Sequence, residues 1–243
     1  MKHPIKLILM TSTLIVAFSI RVYCQDSSIV RKSGRIWKVS LNAETGYTTF
    51  ALDDAHSMFD NILNYYRRIY IPLPSPAAFP GNMLIGGTII FYSELPVRFG
   101  FGGYYSKTAI ASSYQDYAGS LLERMDVNLV TFYSDVELAL VEFPNIYIFA
   151  HPGICYSRIA YSEQINMTYP SQQSPTNSSS GYGHAYEGDF GLGFRIIVLG
   201  YPASAEIGYR VAKIDQLSDT EGNILVHLDV SGFILRTRIG IKL

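Results

Sequence analysis

Apolar and polar residues alternate one by one through seven stretches of this chain, and an eighth stretch of similar length is apolar throughout. A period of two marks extended backbone with one apolar and one polar face. Residues 36–47 set Trp37, Val39, Leu41, Ala43, Thr45 and Tyr47 against Lys38, Ser40, Asn42, Glu44 and Gly46. At 97–105, Val97, Phe99, Phe101 and Tyr105 oppose Arg98, Gly100, Gly102 and Tyr104. The pattern returns at 130–140, 146–156, 186–198 and 205–212. It ends at 233–243, where Phe233, Leu235, Ile239 and Ile241 oppose Arg236, Arg238 and Lys242. Residues 83–92 are apolar on both faces, so their register stays open. The strand count is eight.

The N-terminus is of another kind. Lys2 and Lys6 precede an apolar run from Leu7 to Ile20, the layout of a secretory signal. Cleavage is expected after Cys24, with Ser19 as a second choice. That gives a signal at 1–24, a short segment at 25–34 and a folded domain at 35–243. The processed chain keeps 16 basic and 20 acidic residues and one cysteine, Cys155, so no intramolecular disulfide framework is available. Past the signal, no run approaches the roughly 20 apolar residues of a spanning helix. If the chain lives in a bilayer, it does so as a closed barrel.

Connections alternate in length. Residues 93–96, 142–145 and 200–203 read as tight turns, each with a proline (Pro96, Pro144, Pro202). Residues 48–82, 107–125, 161–185 and 213–225 read as long polar loops. The Ser/Gln/Asn-rich stretch at 171–180 is expected to be mobile. Within the first loop, Phe59, Ile62, Leu63 and Tyr66 fall at helical spacing behind Asp53 or Asp54 as N-cap. A short helix over or inside the barrel mouth is expected, ended by Pro72, Pro74, Pro76 and Pro80.

Parity alone leaves two barrels open. A soluble carrier turns its apolar face inward around a ligand; a membrane barrel turns it outward. Three features favour the second. The polar face carries both signs of charge, with Lys38, Arg98, Arg195, Arg210, Arg236, Arg238 and Lys242 against Glu44, Asp135, Glu137, Glu187, Asp189 and Glu206. Such a set can neutralise itself across a narrow lumen, where unpaired charge would be costly. The same face is rich in glycine. Aromatic residues gather near strand ends, at Tyr47, Tyr92, Tyr104, Tyr105, Phe143, Tyr156, Tyr186 and Tyr201, as in an interfacial girdle. Only 16% of residues are charged, against about a quarter in ordinary soluble domains, which fits a chain with little water-facing surface.

In signal, strand count, loop asymmetry and final strand (residues 232–243), the chain resembles the small eight-stranded members of the OmpA-like outer-membrane β-barrel proteins of Gram-negative bacteria. The resemblance implies an all-β, antiparallel, up-and-down transmembrane barrel with short periplasmic turns and long extracellular loops. It also implies outer-membrane lipid as surroundings, the assembly machinery as partner of the C-terminal strand, and a monomer. Three departures stand out. Leu243 replaces the usual terminal aromatic. Pro152 lies within a strand, where a bulge is expected. Parity slips at Ser231-Gly232, where a second bulge is expected.

Eight strands enclose a space that side chains fill, so the expectation is a non-enzymatic barrel with a structural or loop-mediated role. The alternatives are a narrow passive channel, a lipid-modifying enzyme, or the soluble carrier. The catalytic candidates would be His56, Ser57, His151, His184 and His227 acting as base or nucleophile. His56 and Ser57 diverge on a helix, and His151 and Ser157 lie six residues apart on one strand face, about 20 Å. No cofactor or metal is expected, because one cysteine and scattered histidines give no ligand spacing. Nucleic acid is excluded by the near balance of 19 basic and 20 acidic residues in the whole chain.

Overall fold

The computed structural model describes residues 38–76, 78–92, 97–143, 146–169, 172–173, 177–214, 217–219 and 228–243. The expected signal, the segment at 25–34, the start of the first strand at Trp37 and His227 lie outside these residues. Eight long strands make one sheet: β1 (Lys38–Thr48), β2 (Asn82–Tyr92), β3 (Val97–Asp116), β4 (Gly119–Glu142), β5 (Ile146–Tyr169), β6 (Asn177–Val198), β7 (Tyr201–Val211) and β8 (Gly232–Lys242). Each pairs antiparallel with the next, and β8 pairs with β1. The ring closes at the height of the short strands, where every strand is paired on both sides; above Ser106, β3 has no strand beside it on the β2 side among the described residues. This is the eight-stranded antiparallel barrel that the alternation predicts.

The wall is not of even height. β1, β2, β7 and β8 have 11 residues each, the length a tilted strand needs to cross hydrocarbon. β3 to β6 have 20 to 24 residues and rise far above them on one side. Residues 107–125 and most of 161–185, expected as loops, are therefore strand, with β3 and β4 paired up to Asp116↔Gly119. Residues 177–180, within the stretch expected to be mobile, open β6.

One helix, α1 (Asp53–Arg68), leans into the concave side of this tall half. Its buried positions Ala55, Phe59, Leu63 and Tyr66 recur every three or four residues, which makes one apolar stripe. Asp53 and Asp54 lie in its first turn and Arg67 and Arg68 in its last, where each complements the helix dipole. Neither aspartate is the N-cap. Leu52 holds that position with φ 41° and no side-chain cap, because its side chain is wholly buried in the core below. The proline-rich return is fixed to β3: Ser112 Oγ donates to the Pro74 carbonyl and Thr108 Oγ1 to the Pro80 carbonyl, both at 2.7 Å. Arg67 Nε donates to the Leu73 carbonyl at 2.8 Å.

At the lower rim, the β6–β7 hairpin closes through Leu199 (φ 52°) and Gly200 (φ 88°), the two positive-φ positions of a two-residue hairpin turn. Pro202 is not in the turn but in β7, opposite Ile197. Pro152 produces no bulge. The β4–β5 ladder is instead interrupted between Asp135↔Gly153 and Leu138↔Ala150, and register shifts further on, between Ala139 and Val141. Nor is there a bulge at Ser231-Gly232, because Phe233 N–H donates to Thr49 Oγ1 at 2.8 Å and the pairing of β8 with β1 and β7 keeps one register.

Candidate functional site

The lower half of the barrel encloses a charge network. Arg210, Arg236 and Arg238 are among the most deeply buried side chains of the molecule, with Arg195 close behind. Arg238 is the hub. It reaches Glu44, Asp135 and Glu137 at 3.2 Å and Glu206 at 3.4 Å, carboxylates carried by β1, β4 and β7. Arg236 pairs with Glu206 and, at 3.0 Å, with Asp189. Arg195 donates to Glu137 at 2.5 Å. Arg210 donates to Tyr104 Oη at 2.7 Å and to the Val230 carbonyl at 3.1 Å, with Glu187 3.7 Å away.

Of the thirteen charged residues expected in the lumen, ten form this buried set. Lys38 and Lys242 do not join it. Both are exposed at the lower rim, where the last inward position of each strand already meets water. Arg98 is half-buried and joins indirectly: it donates to Tyr147 Oη, which in turn donates to Glu137 at 3.0 Å.

The lumen also holds residues that were not expected there as partners. His151 is fully buried between Glu206 at 3.6 Å and Asp189 at 3.9 Å. Tyr133 bonds Glu44 and packs against the guanidinium of Arg236, 5.1 Å from ring centre. Tyr104 points inward to Arg210 and does not belong to a girdle. Its inward parity was legible, since it alternates with Phe101 and Tyr105. The open register at 83–92 resolves with Leu84, Thr88 and Ile90 inward and Met83, Ile85 and Ile89 outward.

Above the network the interior changes character. On β3 to β6 the inward positions include Ile110, Leu121, Met125, Val127, Leu129, Ile159, Tyr161 and Ala185, with the buried Thr108 and Ser112 turned to the proline-rich return. They pack with Phe50, Leu52, Phe59, Leu63 and Tyr66 from the first loop and with Ala212, Ile214, Leu228 and Val230 from the last. The result is an ordinary apolar core, with α1 as its lid. Two acids intrude. Glu123 is fully buried and its carboxyl has no hydrogen-bond partner among the described residues, and Glu163 is nearly as buried. Burial pushes the Glu123 pKa up to about 8, with the Glu163 charge adding to the shift, and burial raises Glu163 as well.

The outer face inverts at the same height. Read upward along matched registers, one outward row is Gly103, Phe132, Tyr156 and Tyr186, and the next is Tyr105, Val130, Arg158 and His184. Above these come Lys107, Asn128, Ala160 and Tyr182, then Ala109, Asp126, Ser162 and Ser180. Below, the exposed positions are Phe99, Phe101, Ile148, Ile154, Phe190, Leu192, Phe194, Ile207, Leu235, Ile239 and Ile241. Tyr47, Tyr105, Tyr156 and Tyr186 are exposed at the upper border, and Phe143 and Tyr201 at the lower.

Among the described residues, the catalytic candidates are not brought together. His56 pairs with Asp60 one helical turn on at 3.4 Å, while Ser57 faces solvent. Ser157 bonds Thr131 at 2.6 Å inside the barrel. His184 is exposed on β6 beside Tyr156.

No family model matches the sequence, and no curated protein matches it. Solved structures similar to this chain include CarO2 of Acinetobacter baumannii, at 13% identity and a TM-score of 0.38, covering 87% of this chain and 100% of that one. Ail, the attachment invasion locus protein of Yersinia pestis, in complex with the heparin analogue sucrose octasulfate, is similar at 9% identity and a TM-score of 0.34, with the same coverage. A second Ail structure covers 84% of this chain and 97% of its own, at 10% identity and a TM-score of 0.33. The fold of this chain stands on its own strand pairing.

Proposed function

We propose that this chain is an integral outer-membrane barrel without catalytic function, whose lumen is closed by its own charges and whose upper mouth is closed by α1 and its loops. One observation carries the reading: the two faces of the long strands exchange chemistry at one height. Below it, apolar side chains point out and charges point in, which suits lipid outside. Above it, polar side chains point out and apolar ones in, which suits water outside. A soluble carrier would need apolar side chains around a central cavity in the lower half, where this barrel has arginines and carboxylates. Export and the outer membrane as destination are supported by the signal-like pattern of residues 1–24 together with this apolar outer surface.

A role of this kind is structural, or is exercised by the raised wall of β3 to β6. Refolded into detergent and run unheated on a gel, the protein should migrate differently from the boiled chain. In planar bilayers it should give no large, stable conductance steps. Identical mobilities would refute the barrel in membrane, and steady porin-like conductance would refute the closed lumen.

A further inference from the structure

Taking the membrane reading as its premise, we propose that Arg158 and His184 form a binding site for the phosphate of an outer-leaflet lipid headgroup. The two residues face each other across β5 and β6 on the outer wall, both exposed. Directly below them, Tyr156 and Tyr186 face each other with ring centres 5.4 Å apart, and Tyr156 lies 6.1 Å from the His184 ring. Below the tyrosines the wall is Ile154 and Phe190. The pair thus sits one cross-strand row above the apolar band, the height at which acyl chains give way to headgroups.

Arg158 differs from the other cations on this wall. Lys107 lies 3.0 Å from Asp126, and Arg124 holds the same carboxylate through two hydrogen bonds of 2.7 and 2.9 Å. These bonds hold Asp126 below the usual carboxylate range. Asp126 is therefore already shared by two cations. Arg158 makes no ion pair or hydrogen bond among the described residues, and the outward positions around it are Val130, Tyr156, Ala160 and His184. A guanidinium left without a carboxylate beside a low-dielectric layer attracts an anion, and its planar fork suits two phosphate oxygens. His184 supplies a second ring N–H donor. The tyrosine faces below offer an apolar seat for the glycerol or sugar that carries the phosphate. The chemistry is that of a lipid-borne phosphate, because a free ion would gain nothing from the tyrosines.

The test uses the protein refolded into phosphatidylcholine bilayers, with spin-labelled phosphatidic acid and spin-labelled phosphatidylcholine as probes. The boundary lipid selected by the wild type should favour phosphatidic acid by about two- to fivefold. Arg158→Gln with His184→Gln should bring that ratio to near one, while Lys107→Gln should leave it unchanged. Millimolar inorganic phosphate should not lower the ratio. If the double variant inserts and keeps the wild-type ratio, the site is refuted while the membrane reading stands. Loss of the ratio to inorganic phosphate would refute a lipid-specific site, and failure of every form to insert would refute both readings.

Discussion

Arg158 and Ile159 are consecutive on β5 and face opposite ways, the guanidinium outward and the isoleucine into a wholly buried core. Two residues lower, Tyr156 lies on the outside and Ser157 in the lumen. Strand parity never breaks between them, yet the polarity of the two faces is exchanged. The strand itself is continuous, and what changes is the chemistry of its two faces.

The ionic lumen should be strongly interdependent. Arg238→Met would leave Glu44 and Asp135 without their arginine partner, and Glu137 and Glu206 with one fewer. Removing one partner from a buried pair typically destabilises by about 3–5 kcal/mol. Lys242→Met, at the exposed rim, should stay within about 0.5 kcal/mol of wild type. Urea unfolding of both variants from lipid vesicles provides the comparison, and equal losses would argue against a shared network.

The lid should weaken as pH rises. Glu123 has a pKa near 8 in the folded protein against an ordinary value of 4.5, so the folded state holds a proton that the unfolded state releases between these values. Stability from this group is intact below about pH 4.5. It falls as pH climbs through 8, where the buried carboxyl must ionise beneath Tyr66 and beside Glu163. Glu123→Gln should flatten that fall and gain at least about 1 kcal/mol at pH 9. Thermal melts at pH 5, 7 and 9 report it; parallel curves for the two forms would contradict the assignment.

The upper core should be separable from the barrel. Phe59 is fully buried at the centre of the α1 stripe, and Phe59→Ala should cost the lid about 3–5 kcal/mol. Proteolysis of intact vesicles should then cut within 49–81, while the unheated gel shift of the barrel persists. Loss of the gel shift together with the lid would mean that the two halves fold as one unit.

Cys155 reports on the lumen. It faces inward, packs with Tyr104, Tyr133 and Ile234, and is the one cysteine of the described residues. Water-soluble maleimides should label it only after unfolding. Fast labelling of the inserted protein would show an open, hydrated lumen.

Most of the lower barrel was legible because one rule applies there: apolar out, charged in. Of the thirteen charges on the inward parity, ten lie buried, Arg98 is half-buried, and Lys38 and Lys242 are exposed, because a strand end meets water whatever its parity. The upper wall was misread as loop for a physical reason. From Leu129 and Ile159 upward, the alternation continues with its faces exchanged. Lys107, Asn128, Ser162 and Gln164 then sit where lipid-facing residues would be expected, so the strands look like polar connections. Helix α1 was legible from its stripe, but its start was not, because Leu52 caps it through backbone geometry and burial rather than through a polar side chain.

Depth measurement along one strand tests the membrane assignment most directly. With Cys155→Ala as background, single spin labels at Ile154, Tyr156, Ala160 and Ser162 can be compared for collision with oxygen, which concentrates in lipid, and with a water-soluble nickel chelate. Labels at 154 and 156 should favour oxygen and those at 160 and 162 nickel, with the crossover at 158. Nickel-accessible labels at 154 and 156 would place water against the lower wall and contradict the lipid-facing barrel.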